Sequence, residues 1–153
     1  MTEDARFEDA DEAPLRLKAI EAEEVEVISA LVQDAVFPAS EMSWDRRKRR
    51  FGLLLNRFRW EYDGRTPERV QSVLAFEDVL AVSSQGIDRN DADMVLSLLS
   101  IAFEQGEDGT GRIEMTLAGD GAIALNVEAL EITLRDVTRP YLAPSRKRPD
   151  HGS

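Results

Sequence analysis

The stretch that decides the fold runs from Glu41 to Glu61 and reads EMSWDRRKRRFGLLLNRFRWE. Its first residues alternate polar and apolar side chains, with Met42 and Trp44 on one face. A second and longer run, residues 49–60, follows a charged turn at residues 45–48. Two such runs joined by a short polar turn predict a β-hairpin.

The longer strand of this hairpin carries apolar side chains on both faces. Phe51, Leu53 and Leu55 share one face, and the apolar residues of the other face are Leu54, Phe58 and Trp60. This pattern indicates a strand buried on two sides in its middle, or a bulge near Asn56 that re-aims its second half.

The sequence before the hairpin predicts one strand and one helix. Leu15, Leu17 and Ala19 alternate with cations, which is typical of a short half-buried strand. From residue 21 to residue 36, apolar side chains recur every three or four positions, as on one face of a helix. Glutamates crowd the first turns of this segment, where the helix dipole favours negative charge. Pro38 prevents the helix from continuing.

Five more strands are predicted after the hairpin, at residues 69–76, 79–84, 94–103, 112–117 and 123–127. The segment Met94–Phe103 also fits a helix capped by Asp91, but its neighbours favour a strand. Residues 128–137 return to helical spacing through Leu130, Leu134 and Val137, which predicts a C-terminal helix.

These elements predict an α+β fold, a mostly antiparallel seven-stranded barrel or strongly bent sheet with a C-terminal helix. The count resembles the pleckstrin-homology-like barrel, here preceded by an additional strand and helix. An open antiparallel sheet with two helices on one face is the alternative. Residues 14–142 are expected to form one domain, between a disordered acidic leader (1–13) and a disordered basic tail (143–153).

Composition limits the range of partners. The chain has 153 residues, a net charge of −11 and a pI of about 4.6. An acidic surface repels nucleic acid and anionic lipid, so we expect no membrane partner and disfavour nucleic acid. Cysteine is absent, the N-terminus is acidic, and no apolar run approaches the ~20 residues of a membrane helix. The sequence therefore predicts a soluble cytoplasmic protein.

Residue types exclude several kinds of catalytic site. The single histidine, His151, lies in the predicted tail, so neither a histidine base nor the usual zinc ligand sets are expected. We predict no catalytic residues, no metal site and no cofactor. Catalysis by carboxylates alone remains an alternative, and its candidates all lie in turn-like sequence: Glu77, Asp78, Asp88, Asp91 and Asp93.

The basic hairpin is the candidate binding site. Residues 45–69 carry nine basic and four acidic side chains in an otherwise acidic chain. The candidate partner-binding residues are Arg46, Arg47, Lys48, Arg49, Arg50, Arg57, Arg59, Trp44 and Trp60. Arginine beside aromatic rings can bind an acidic protein segment, phosphate or RNA.

Three functions follow from these observations. The first is a non-enzymatic protein-binding or adaptor domain whose partner is an acidic protein segment or a second copy of the chain. The alternatives are an RNA-binding or nucleotide-binding protein and a carboxylate-based enzyme. The hairpin arginines also have a purely structural interpretation, as partners of the acidic residues 21–26 or of acidic turns. Exposed pairs of that kind contribute roughly 0–1 kcal/mol each.

Most of the chain also resembles a known family. The matching segments are PLRLKAIEAEEVEVISALVQDAVFP, DRRKRRFGLLLNRFRWE, ERVQSVLAFEDVLAVSSQGID and GDGAIALNVEALEITLRDVTRPY. Together they resemble the small bacterial proteins of domain-of-unknown-function family 2948, from about Pro14 to Tyr141. The resemblance implies a bacterial, cytoplasmic, single-domain protein and implies no activity.

Overall fold

The computed structural model describes residues 14–62, 67–88 and 90–142. Within them lie eleven strands and one α-helix, α1 (Ala22–Leu31). The strands are β1 (Arg16–Ala19), β2 (Val36–Pro38), β3 (Met42–Asp45), β4 (Arg50–Phe58), β5 (Glu68–Phe76), β6 (Val79–Gln85), β7 (Val95–Gln105), β8 (Gly111–Leu117), β9 (Ala122–Val127), β10 (Ile132–Asp136) and β11 (Tyr141–Leu142). The predicted leader and tail lie outside the described residues.

The strands form one antiparallel sheet in the order β1-β10-β5-β4-β2-β7-β8-β9-β6. In addition, β3 pairs with β4 and β11 pairs with β5. The end strands β1 and β6 do not pair with each other, so the sheet is open. Its inner face forms a single hydrophobic core in which Leu74 of β5 joins Met115 of β8. The sheet is therefore bent around one core.

The helix α1 covers part of this core. Val25 and Ile28 are buried, and the helix packs against β1 and β7. At its start, the backbone N–H of Glu21 donates to the Glu24 carboxylate at 3.1 Å, as an N-terminal cap requires. The helix ends earlier than the apolar spacing predicts. Asp34 adopts a positive φ of 66°, and the chain then continues into β2.

The predicted β3–β4 hairpin is present. Met42 pairs with Leu53 and Asp45 with Arg50. On β4, Phe51 and Leu55 are buried on the inner face. The pairing of β4 with β5 runs without a shift from Phe51 to Phe58, so β4 has no bulge at Asn56.

The predictions of a seven-stranded barrel and a C-terminal helix are wrong. The segment predicted as that helix contains a bend and then β10, which inserts between β1 and β5. Ile132, Leu134 and Asp136 point inward on this strand and are buried. Because the third of these is an acid, the alternation of the strand is hidden in the sequence. With β10 in the sheet, the described residues contain one helix and an open sheet.

Met94–Phe103 is a strand, as predicted, and forms most of β7. No helix in the described part of the chain is long and apolar enough to cross a membrane.

Candidate functional site

The structure separates the arginines of the basic hairpin into paired and unpaired groups. Arg50 donates to both carboxylate oxygens of Glu77, at 3.0 and 2.7 Å. Arg49 forms ion pairs with Asp78 and Glu128. These acids lie at the β5–β6 turn and just after β9, so acidic turns supply the partners. Hydrogen bonding to Glu77 raises the pKa of Arg50 above its ordinary value.

Arg57 lies in the core, on the inner face of β4. Its side chain is fully buried, and its guanidinium donates to Asp136 (3.0 Å) and to Glu61 (2.7 and 2.8 Å). Its Nε–H also donates to the hydroxyl oxygen of Ser72, which in turn donates to Asp136 at 2.7 Å. Arg57 therefore joins β4, β5 and β10 through charge-assisted hydrogen bonds.

Burial and charge oppose each other in this cluster. Burial lowers the pKa of Arg57, but hydrogen bonds and attraction to Glu61 and Asp136 outweigh it, so the pKa is raised. Burial also raises the pKa of Glu61, yet the hydrogen bond from Arg57 gives a net lowering. Both groups are charged at neutral pH, and their hydrogen bonds connect β4 with β10 and with Glu61.

Arg59 and the two tryptophans of the hairpin also have internal contacts. Arg59 is nearly buried, lies 3.3 Å from Glu68 and packs over the ring of Tyr62. The indole N–H of Trp60 donates to the backbone carbonyl of Gln33 at 3.0 Å. Trp44 is half-buried against the hydrophobic core. These three side chains therefore have contacts within the fold.

The turn between β3 and β4 holds the exposed cations of the hairpin. Arg46, Arg47 and Lys48 are exposed, and no ion-pair partner lies within 4.0 Å of them among the described residues. The backbone N–H of Lys48 donates to Asp45, which closes the turn. Of the nine predicted residues, these three are exposed and have no ion-pair partner in the described part of the chain.

A second basic surface lies on the outer face of the sheet. A groove of about 560 Å³ runs over β1, β10, β5 and the start of β4. Its charged side chains are Arg16, Lys18, Arg50, Glu77, Glu131 and Arg135. Because Arg50 pairs with Glu77, both ions of that pair are already balanced.

Three cations of the groove have no ion-pair partner among the described residues. Arg16, Lys18 and Arg135 are exposed. Within the described parts of the chain, none of them has an ion pair or a side-chain hydrogen bond. Arg16 and Arg135 face each other at one end of the groove, Lys18 lies in the next row of the sheet, and Glu77 and Glu131 lie at the other end. The groove therefore offers unbalanced positive charge in a chain of net charge −11.

Strand register explains the shape of the groove. Lys18 lies opposite Thr133, Thr133 opposite Ala75, and Ala75 opposite Gly52, in one row across four strands. The three residues that follow Lys18 in this row have small side chains, so the middle of the outer face forms a depression. The next row brings in the long side chains of the arginines, because Arg16 pairs with Arg135. The groove therefore consists of a depression over the small residues, bordered by the long side chains of Arg16 and Arg135.

Sequence reasoning did not find this site. Arg16 and Lys18 were predicted only as the outer face of a strand, and Arg135 lay in the segment predicted as a helix. The alternation of β1 was a usable signal for two of the three cations. The pairing of β1 with β10 was not, because it joins residues more than a hundred positions apart.

The five candidate acids occupy turns and connections, as the sequence predicts. Glu77 and Asp78 form ion pairs with the hairpin arginines. Asp88 and Asp91 border a separate cleft of about 290 Å³ between β3 and β6, and Asp93 is exposed. In the described residues, no group of three acids or histidines is arranged to hold a metal ion.

Comparisons with known proteins identify relatives at the level of the family. Neither the curated proteins nor the solved structures contain a match to the chain. The family model described as "Protein of unknown function (DUF2948)" matches residues 15–151. This match spans the groove, the hairpin and nearly the whole sequence. The chain is therefore a member of the DUF2948 family.

Proposed function

We propose that the protein is a non-enzymatic binding domain whose outer groove takes an acidic segment of a partner protein. The observation that supports the proposal is the cluster of Arg16, Lys18 and Arg135, three exposed cations without a described counter-charge. A carboxylate-bearing ligand would supply that charge. Arginine suits this role because its planar fork can donate two hydrogen bonds to one carboxylate.

The floor of the groove favours a peptide over a bare anion. Val73, opposite Arg135, and Ala75, opposite Thr133, are partly exposed and can contact apolar atoms of a ligand. A surface that combines charge with apolar contact selects segments in which acids flank hydrophobic residues. Charge complementarity at such a surface contributes chiefly to specificity and to the rate of association.

RNA is the alternative, and two features of the groove disfavour it. Single-stranded RNA gains affinity by stacking its bases on aromatic rings, and none of the described residues that line the groove is aromatic. Glu131 would also repel a phosphate backbone that runs the length of the groove. The remaining acidic surface acts in the same direction.

The exposed turn of the hairpin extends this basic surface. Arg50 borders the groove at the end where Glu77 lies, and the turn comes just before it in the chain. Arg46, Arg47 and Lys48 therefore continue the positive charge beyond that end of the groove. We assign them a supporting role, in attracting an acidic segment that is long enough to pass over both regions. A second copy of this acidic chain is one candidate partner. The absence of cysteine supports a cytoplasmic location.

Binding of a short peptide of Glu-Ser repeats, mapped by the NMR shifts of backbone amides, tests the proposal. The expected result is saturable shifts at Lys18, Ala75 and Thr133, with no shifts from the matching Gln-Ser peptide. Oligouridine of similar charge should bind more weakly. Absence of shifts in the groove at millimolar peptide, or stronger binding of oligouridine, would contradict the proposal. Light scattering of the free protein shows whether a second copy is the partner.

A further inference from the structure

We propose that the chain's own acidic leader, residues 1–13, occupies the groove in the free protein and must be displaced by a partner. The inference rests on the proposed function, because it assigns the first occupant of the same groove. It follows from three observations: the charge of the leader, its point of attachment and its length. The leader acts as an internal competitor.

Charge complementarity is the first observation. The leader, MTEDARFEDADEA, carries six acidic side chains and one arginine. Phe7 stands between two acidic pairs, Glu3–Asp4 and Glu8–Asp9. The groove has three cations without an ion-pair partner among the described residues, beside a partly apolar floor. An acidic segment with a central aromatic residue matches that surface in both charge and hydrophobicity.

The point of attachment is the second observation. Pro14 directly follows the leader, and Arg16, the first cation of the groove, comes two residues later. The leader is thus tethered at the cationic end of the groove. A short tether gives an effective local concentration on the order of millimolar, so even weak binding in trans becomes substantial occupancy in cis.

Length is the third observation. From Val73 to Glu77 the groove follows four residues of chain along β5, which is about 13 Å at the strand rise of ~3.3 Å per residue. Four or five leader residues in extended form span that distance. The residues from Ala10 to Pro14 remain for the reversal of direction that brings Phe7 and the acids next to it over the floor.

Occupancy by the leader predicts a measurable change in affinity. If the leader peptide binds in trans with a Kd of about 0.1 mM and its local concentration is ~1 mM, it reduces the affinity for an outside ligand about tenfold. Replacing the six leader acids by their amides should then strengthen binding of the Glu-Ser peptide by about that factor.

The absence of cysteine makes docking directly observable. A nitroxide attached through Ala5→Cys labels the full chain at one site, since the natural sequence has no thiol. We expect broadening of the amides of Ala75 and Thr133, which are distant from the label in sequence. The same labelled chain with amides in place of the leader acids should lose that broadening.

Matched variants connect the broadening to the groove. Arg16→Gln/Arg135→Gln should reduce the broadening, whereas Arg112→Gln, at an exposed position of β8, should not. Equal broadening with and without the leader acids, or broadening confined to β1 and α1, would overturn the inference. The proposed function fails separately, if the Glu-Ser peptide binds neither the natural chain nor the chain with a neutral leader.

Discussion

Arg16 and Arg135 lie directly opposite each other on β1 and β10, so two cationic side chains stand side by side on the outer face of the sheet. Like charges at opposite positions destabilise a strand pair, and the described residues place no carboxylate within ion-pair distance of either. A local arrangement that opposes stability is expected mainly at functional sites. This relationship is the basis of the proposed binding site.

Removing one of these two charges should therefore stabilise the protein. We expect Arg135→Gln to raise the free energy of unfolding by about 0.2–1 kcal/mol at low salt. Urea unfolding followed by circular dichroism measures this. The gain would be specific to the Arg16–Arg135 pair. It could not come from a smaller net charge, because the substitution makes an already acidic protein more negative.

A double-mutant cycle provides the control. In the Arg16→Gln background, Arg135→Gln should give a smaller gain, since the repulsion is already absent. Arg112→Gln, which removes an exposed cation near Glu114, should give no gain. A loss of stability in Arg135→Gln would contradict the assignment of Arg16–Arg135 as a repulsive pair.

Removing the cation of the buried Arg57 cluster should destabilise the protein. Arg57→Met leaves the nearly buried carboxylate of Asp136 without its cation, and we expect a loss of about 3–5 kcal/mol in the free energy of unfolding. The double variant Arg57→Met/Asp136→Leu should recover much of that loss. If Arg57→Met proves too unstable to study, Arg57→Lys should show a smaller loss. A change below about 1 kcal/mol in Arg57→Met would show that the cluster contributes little.

Glu61 should make the free energy of unfolding depend on pH. Its pKa is lower in the folded chain than the ordinary glutamate value, which is about 4.3 in the unfolded chain. The stabilisation is therefore complete above about pH 5 and is lost as the pH falls through the folded-state pKa. Glu61→Gln should be less stable at pH 7 and should show a shallower loss between about pH 5 and pH 3. A slope equal to that of the natural protein would contradict this, and Glu26→Gln, an exposed site, is the control.

The two basic surfaces should differ in their effect on binding. Arg46→Glu/Arg47→Glu alters exposed turn residues and should leave stability unchanged within about 0.5 kcal/mol. We expect this variant to weaken binding of the Glu-Ser peptide less than charge reversal in the groove does. Peptide titration followed by fluorescence anisotropy compares them. A larger effect from the turn would place the main site on the hairpin.

The sequence predicted the elements better than it predicted their arrangement. Met94–Phe103 could be assigned as a strand because its neighbours in sequence are strands. The segment from Leu130 to Val137 could not, because Asp136 interrupts the apolar alternation on the inner face. On the inner face, that acid accepts a hydrogen bond from Arg57, 79 positions earlier in the chain. Long-range pairing of this kind leaves no local signal.

The candidate site was also predictable only in part. The concentration of cations in the hairpin was visible in the sequence, but four of its arginines are paired with acids on other strands or turns or lie buried. The groove depends on the register of β1 with β10, which places Arg16 beside Arg135. Strand register between distant segments is fixed by packing of the whole core, so composition and spacing alone did not predict the groove.

The most direct test of the central claim is the affinity of the Glu-Ser peptide for a chain with reversed groove charge. Arg16→Glu/Lys18→Glu/Arg135→Glu should weaken binding at least about tenfold relative to the natural chain, or about 1.4 kcal/mol. Arg112→Glu should bind as the natural chain does, and added salt should weaken the natural interaction. Equal affinity of the groove variant and the natural chain would show that the groove is not the binding site.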